Sequence, residues 1–436
     1  MLKPSDGRET VFALSSGRGR AGVAVIRVSG SNAAVAIETL TRTKIPPPRT
    51  ATVGSLFDDG ELIDRGLILW FPAPASFTGE DIAEFHVHGG RAVVDGLLAA
   101  LADVEGLRPA EPGEFTRRAV ENGKFDLTQA EALADLINAE TEAQRRQALR
   151  QYGGELAALY EGWRTRLIRA TAWAETAIDF DDENIPLAFF QEAGDQAASI
   201  AGEIRHHLDD DRRGEILREG FYLAVIGPPN SGKSSLVNAL ARRDVAIVSD
   251  IPGTTRDVLE VHLDLGGYPV ILADTAGLRE STDTIESEGV RRALSRARDA
   301  DGILLLQDAS ANTGPVCFES HQPVLAVWNK ADLPHPERNG MMISVRSGAG
   351  MDDLLQAITA LTQHCLQSEG PTLSRERHRR ALIEAETALR RSVTLAAPEL
   401  VAEELRIAMR ALGRITGRVD IEELLEVVFQ DFCIGK

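Results

Sequence analysis

The apolar run Phe221-Tyr222-Leu223-Ala224-Val225-Ile226 ends in Gly227-Pro228-Pro229-Asn230-Ser231-Gly232-Lys233-Ser234, and the helical pattern Leu236-Val237-Asn238-Ala239-Leu240 follows at once. That order reads as strand, glycine-rich loop and helix. Glycines let backbone N–H groups close around phosphate oxygens, Lys233 reaches the outer phosphates, and the Ser234 hydroxyl, followed by Ser235, is placed for Mg²⁺. A loop of this composition that served only as a turn would not need lysine and serine in register.

A phosphate loop does not choose its base. The segment Asn329-Lys330-Ala331-Asp332 closes the apolar run Val324-Leu325-Ala326-Val327-Trp328, at a strand end where open α/β sheets hold ligands. The Asp332 carboxylate accepts from two guanine N–H groups that adenine lacks, so the pattern predicts GTP rather than ATP. Asp274-Thr275-Ala276-Gly277 supplies a carboxylate near Mg²⁺ and a glycine N–H that senses the γ-phosphate. Between these segments, Ser249-Asp250-Ile251-Pro252-Gly253-Thr254-Thr255 reads as a switch loop, with Thr255 as the second hydroxyl on Mg²⁺. Leu278 stands where Ras-like GTPases carry the water-orienting glutamine. Glu286 is the candidate replacement, its alternative being a solvated carboxylate on a helix face. Asn230 points to a monovalent cation in place of an arginine finger.

The 436 residues suffice for about three domains, and 43% hydrophobic with 26% charged residues fits a globular chain. No long apolar run or signal-peptide core is visible, which predicts a cytoplasmic protein without membrane association. Cys317, Cys365 and Cys433 have no paired spacing, which speaks against a cysteine-rich zinc site. A net charge of −19 argues against a surface that grips nucleic acid everywhere, so any RNA contact is local. Arg145-Arg146 and Arg375 to Arg380 are the basic stretches; their plain reading is solvated helix faces.

The organisation expected is multidomain. Residues 1–124 read as an α+β domain, with strands at Gly22 to Val28, Gly66 to Phe71 and Ile82 to His88. Residues 125–218 read as helical, with the stripe Leu156, Leu159, Tyr160, Trp163 and Leu167. Residues 219–373 form an inserted Ras-like α/β P-loop GTPase domain, and 374–436 return to helix. Both ends of the switch domain are thus tied to one helical body. The short connection Asp308 to Pro323 predicts a loop or single turn rather than a full crossover helix.

The tail Phe432-Cys433-Ile434-Gly435-Lys436 fits a prenylation box poorly. With Gly253-Thr254-Thr255-Arg256-Asp257, Asp274-Thr275-Ala276-Gly277-Leu278-Arg279-Glu280, Phe77-Thr78-Gly79-Glu80-Asp81, His88-Gly89-Gly90 and Pro112-Gly113-Glu114-Phe115, it resembles the tRNA-modification GTPase MnmE (TrmE) family over essentially the full length. The resemblance implies a homodimer whose N-terminal domains bind a tetrahydrofolate (5,10-methylene or 5-formyl) and whose GTPase domains pair in the presence of GTP and potassium. It implies a heterotetramer with the flavoprotein MnmG, which brings FAD and NADH, and modification of C5 of the wobble uridine of tRNA. By position it assigns the folate to Arg27, Glu84, Lys124 and Lys436, and gives Cys433 a catalytic or spectator place beside the one-carbon site. Potassium falls to Asn230, Ser249, Ile251 and Thr254, Mg²⁺ to Ser234 and Thr255, and the guanine contact to Ser344, Val345 and Arg346. Without the resemblance, Arg27 reads as an edge-strand residue facing water, and Glu84 and Lys124 as surface charges. The competing reading is a ribosome- or RNA-assembly GTPase with no modification chemistry.

Overall fold

The computed structural model describes residues 9–179, 187–247, 260–274, 299–311, 320–367, 370–419 and 435. Chain contacts divide it into two compact units, Met1–Ala134 with Gly413–Lys436, and Asp135–Leu412.

The first unit is built on a six-stranded sheet of order β3-β4-β5-β2-β1-β6. Its strands are β1 (Thr10–Leu14), β2 (Ala21–Ser29), β3 (Thr52–Asp58), β4 (Glu61–Phe71), β5 (Ile82–Gly89) and β6 (Leu107–Pro109). The helices α1 (Ala33–Thr41), α2 (Arg91–Ala102) and α3 (Glu114–Glu121) lie between or after them, and α4 (Leu127–Asn138) leads out. Successive strand residues point to opposite faces. Ala24, Ile26 and Val28 of β2 and Ala83, Phe85 and Val87 of β5 therefore bury against Ile37 and Leu40 of α1 and Leu97 and Leu101 of α2. The intervening Arg27 and Glu84 are sent to the other face, directly opposite each other in the antiparallel register. Arg27 is therefore not on an edge: β2 has β5 on one side and β1 on the other.

In the second unit, α5 (Glu142–Tyr152), α6 (Glu155–Asp179), α7 (Leu187–Leu208) and α8 (Arg213–Glu219) precede the nucleotide-type sheet. Leu156, Tyr160, Trp163 and Leu167 are buried along α6, as the 3.6-residue period requires, with Leu159 at the margin. Tyr160 and Trp163 meet His207 of α7 edge-on, and Tyr160 also meets His378 of the helix Glu376–Thr394. The second sheet has the order β12-β11-β10-β7-β9-β8. Its strands are β7 (Phe221–Ile226), β8 (Glu260–Leu265), β9 (Tyr268–Asp274), β10 (Gly302–Asp308), β11 (Val324–Asn329) and β12 (Met341–Met342). All its pairings are parallel except the β8–β9 hairpin, and α9 (Lys233–Ala241) and the helix Met351–Leu366 pack on it. Leu223, Val225, Leu304 and Leu306 are fully buried, the continuous apolar character of strands covered on both faces. The β10–β11 connection begins in a turn at Ala309–Ser310, and its middle, 312–319, lies outside the described residues.

The segments that enter and leave this sheet run side by side. Gly214 lies so close to Thr372 and to the Leu373 carbonyl that no Cβ would fit there. A row of glutamines on one face of α5 holds both segments: Gln144 Nε2 donates to the Arg218 carbonyl at 3.1 Å, Gln147 Nε2 to Gly214 at 2.9 Å, and Gln151 Nε2 to Thr372 at 3.2 Å. Asp135 binds Arg218 at 3.0 Å and Arg375 at 2.7 Å, while Arg379 is gripped by Asp210 and Glu215. Arg375 and Arg379, expected on a solvated face, are thus internal ion-pair partners, because the apolar face of their helix turns them toward the entering segment.

Candidate functional site

The parallel strands bring the separated motifs to one end of the sheet. Val225 is in register with Asp274 on one side, and Leu305 with Ile226 on the other. The phosphate-type loop leaves β7 there with backbone that glycine permits: Gly227 passes against the Leu306 carbonyl, and Gly232, at φ 98°, abuts the Asn329 side-chain amide. Asn230 holds a left-handed φ of 62°. Lys233 Nζ donates to the Gly227 and Pro228 carbonyls, 2.9 Å each, and Gly232 caps α9, so Lys233, Ser234 and Ser235 form its first turn. The first turn of α9 follows the loop directly, with the positive end of the helix at the loop, a setting that favours an anion.

Asn329 ties the base-reading segment to this loop. Its Nδ2 donates to the Ser231 carbonyl at 2.8 Å and its Oδ1 accepts from the Val345 N–H at 3.2 Å. Lys330, at φ 69°, extends to Asp308 Oδ2 at 2.6 Å, and the Ala331 N–H bonds the Ile343 carbonyl. Asp332 accepts from the Ser344 hydroxyl at 2.6 Å, which holds its carboxyl below the usual range. Arg346 adds to that lowering. Burial alone would raise Asp308, but Lys330 and Ser310 outweigh it and keep it ionised. Asp308 was not among the sequence candidates; its signal was its place at the carboxyl end of β10, beside β11. Among the described residues, the Ser231 hydroxyl is buried without a hydrogen-bond partner, inside a cradle of backbone groups suited to phosphate.

Ser249, Asp250, Ile251, Pro252, Gly253, Thr254, Thr255, Thr275, Ala276, Gly277 and Glu286 lie outside the described residues, as do Cys433 and Lys436. Asp274 is described as the end of β9 only.

In the first unit, Arg27 Nε and Nη2 both donate to Glu84 Oε1, at 2.9 and 2.8 Å, and Glu84 Oε2 lies 3.2 Å from His86 Nε2. The Arg27 guanidinium stacks 5.0 Å from the Phe77 ring centre and 5.7 Å from that of Phe115. Lys124 Nζ donates to the Pro74 carbonyl at 2.9 Å. Gly435 lies beside the end of β1 in the same sheet, its carbonyl accepting from Ser15 Oγ at 2.8 Å. Ser15 lies where β1 ends, its N–H bonding Val25 on the strand that carries Arg27. The sequence did not show Phe77, Phe115, His86 or Ser15 as neighbours of Arg27, since strand register alone decides which side chains face each other.

Together, a strand-end phosphate loop bound through Asn329 to an Asn-Lys-Ala-Asp segment in a mostly parallel sheet defines a P-loop GTPase domain. Residues 10–124 match the family model for the GTP-binding protein TrmE N-terminus, and residues 127–433 that for the MnmE helical domain. The tRNA modification GTPase MnmE of Rhodospirillum rubrum is 51% identical, with 98% of this chain and 99% of the relative covered. Those of Parvibaculum lavamentivorans and Paramagnetospirillum magneticum are 54% and 53% identical, each over 98% of this chain and 100% of the relative. The chain belongs to the tRNA-modification GTPase MnmE family. Among the described residues, no helix is long and apolar enough to cross a membrane.

Proposed function

We propose that this protein hydrolyses GTP in a potassium-dependent way and couples that hydrolysis to modification of C5 of the wobble uridine of certain tRNAs, using a tetrahydrofolate one-carbon unit and the flavoprotein MnmG. The domains are residues 1–124, 125–218, 219–373 and 374–436, and the working form is a cytoplasmic homodimer that assembles with MnmG. Lys233, Ser234, Ser235 and the backbone of Asn230 to Gly232 would hold the phosphates and Mg²⁺. Asp332 would read the guanine edge, while Ser344 positions Asp332 and Asn329 sets the distance between base and phosphate loops. The Val345 N–H donates to Asn329 Oδ1, a backbone contact that does not depend on the valine side chain.

Asn230, with Ser249, Ile251 and Thr254, would hold potassium, and Thr255 would join Ser234 on Mg²⁺. Glu286 orients the attacking water. On the other unit, Glu84 offers a carboxylate to a donor edge, with Arg27 holding it in place; Lys124 and Lys436 suit a carboxylate-bearing tail. The folate when bound would supply the carbon, and Cys433 would be a candidate nucleophile toward it.

The observation that carries this reading is the seating of Gly435 on Ser15, which brings the carboxyl terminus to the sheet that holds Arg27 and Glu84. The decisive experiment is nucleoside analysis of tRNA from cells lacking the gene: loss of the substituted wobble uridine is expected. A nucleoside profile identical to that of the parent cells, with the substituted uridine retained, would remove the role and leave an assembly GTPase.

A further inference from the structure

The chain carries a net charge of −19, so an RNA-binding surface has to be a local reversal of its field. The groove beside α5 is one. It is a cavity of about 560 Å³ bounded by α5, by the β8–β9 turn at Gly266 and Gly267, and by the paired segments that enter and leave the GTPase sheet. Arg145, Arg146 and Arg150 stand along its α5 wall, all exposed. Glu142 is the carboxylate among them. It accepts from Arg145 Nε and Nη2 at 2.8 and 2.7 Å and from Arg146 Nε at 2.7 Å.

One carboxylate therefore orients two guanidiniums from below, leaving both Nη groups of Arg146 without an acceptor among the described residues. Arg150 has no ion-pair partner among the described residues. Three guanidiniums against one carboxylate leave a positive surplus, in the planar donor geometry that matches phosphate oxygens. Arg213, also at the groove, is occupied by Asp211 and the Gln367 carbonyl and does not add to it. Tyr268, half-buried and packed against the core of the sheet, lines the groove beside them.

We infer that this groove seats the sugar-phosphate backbone of the RNA substrate through Arg145, Arg146 and Arg150. The inference rests on the tRNA reading above and adds the surface. Because the Ala143 N–H bonds the Gly267 carbonyl at 2.9 Å, RNA in the groove touches the helical body and the GTPase sheet together.

The test is fluorescence anisotropy of an unmodified, end-labelled tRNA transcript titrated with the full-length protein between 50 and 200 mM KCl. Arg145→Ala/Arg146→Ala/Arg150→Ala is expected to weaken binding at least about tenfold and to flatten the salt slope by about 2–3. GTP hydrolysis by the free variant stays at the wild-type rate, since none of the three belongs to the nucleotide site. Glu142→Gln removes the opposing charge and is expected to tighten binding, an opposite sign that loss of folding does not produce. Wild-type affinity and slope in the triple variant would overturn the groove, while leaving tRNA as substrate. No binding by the wild-type protein would instead strike the tRNA reading itself.

Discussion

Ser15 Oγ donates to the Gly435 carbonyl at 2.8 Å, joining two residues 420 positions apart in the chain. Gly435 sits at φ 99° against the Leu14 carbonyl, in a place where no Cβ fits. This is a backbone seat for the carboxyl terminus, made by a glycine.

Gly435→Ala should unseat that terminus. The left-handed conformation alone costs a non-glycine residue about 1–2 kcal/mol, and the contact with the Leu14 carbonyl adds to it. Affinity for a reduced folate, measured by calorimetry, is expected to fall at least about fivefold with GTP hydrolysis unchanged. An unaltered folate affinity would separate the tail from the folate site.

Asp332→Asn should exchange base preference. An amide offers a donor where guanine also presents donors, leaving buried polar groups mismatched. GTP affinity is expected to drop by more than about tenfold, and xanthosine triphosphate, with an oxygen in place of the exocyclic amine, should compete better than in wild type. Competition against a fluorescent GTP analogue reads both.

Gln147→Leu should loosen the attachment of the GTPase sheet. Gln147 is buried, and its loss leaves the Gly214 carbonyl without this donor, a cost of about 1–3 kcal/mol. The melting temperature is expected to fall by a few degrees. GTP turnover should persist while modified tRNA yield declines, because the defect lies between the two activities. Equal losses in both would mean that Gln147 only supports folding.

Acid should attack the first unit through Glu114. Burial raises its carboxyl, but hydrogen bonds from Arg108, the Glu111 N–H and Arg118 prevail and hold it at about 2, from an ordinary 4.5. Its folded value lies below its unfolded value, so the stabilisation is complete above pH 4.5 and disappears as pH falls toward 2. Glu114→Gln is expected to lower the melting temperature at pH 7 and to reduce its decline between pH 5 and 3. A decline as steep as that of the wild type would exclude Glu114 as its source.

His207 gives a second, milder window. Burial among Tyr160 and Trp163 pushes its imidazole down to about 4, so the native helical body carries it neutral. The unfolded chain binds the proton first, and stability is lost between about pH 6.5 and 4. His207→Phe should flatten the unfolding profile across that interval, as followed by circular dichroism; an unchanged profile would place the acid sensitivity elsewhere.

Local chemistry determined much by itself. The glycine-rich loop after an apolar strand has few backbone solutions; period-2 and period-3.6 patterns marked β2, β4, β5 and α6 because each must bury one side, and a continuous apolar run marked β7, which is covered on both. The full-length family resemblance was legible for the same reason: its motifs are contiguous. What the tertiary structure alone decided is everything that depends on register and on chain crossing. Arg27 looked like an edge residue until β1 paired beside it, and its meeting with Glu84 follows from antiparallel alignment. Arg375 and Arg379 looked solvated until the entering segment supplied Asp135, Asp210 and Glu215. Asp308 gained its role from a parallel neighbour, and Gly435 from a strand end 420 residues away. A sequence pattern records what each residue buries; only the folded chain fixes which partner it is buried against.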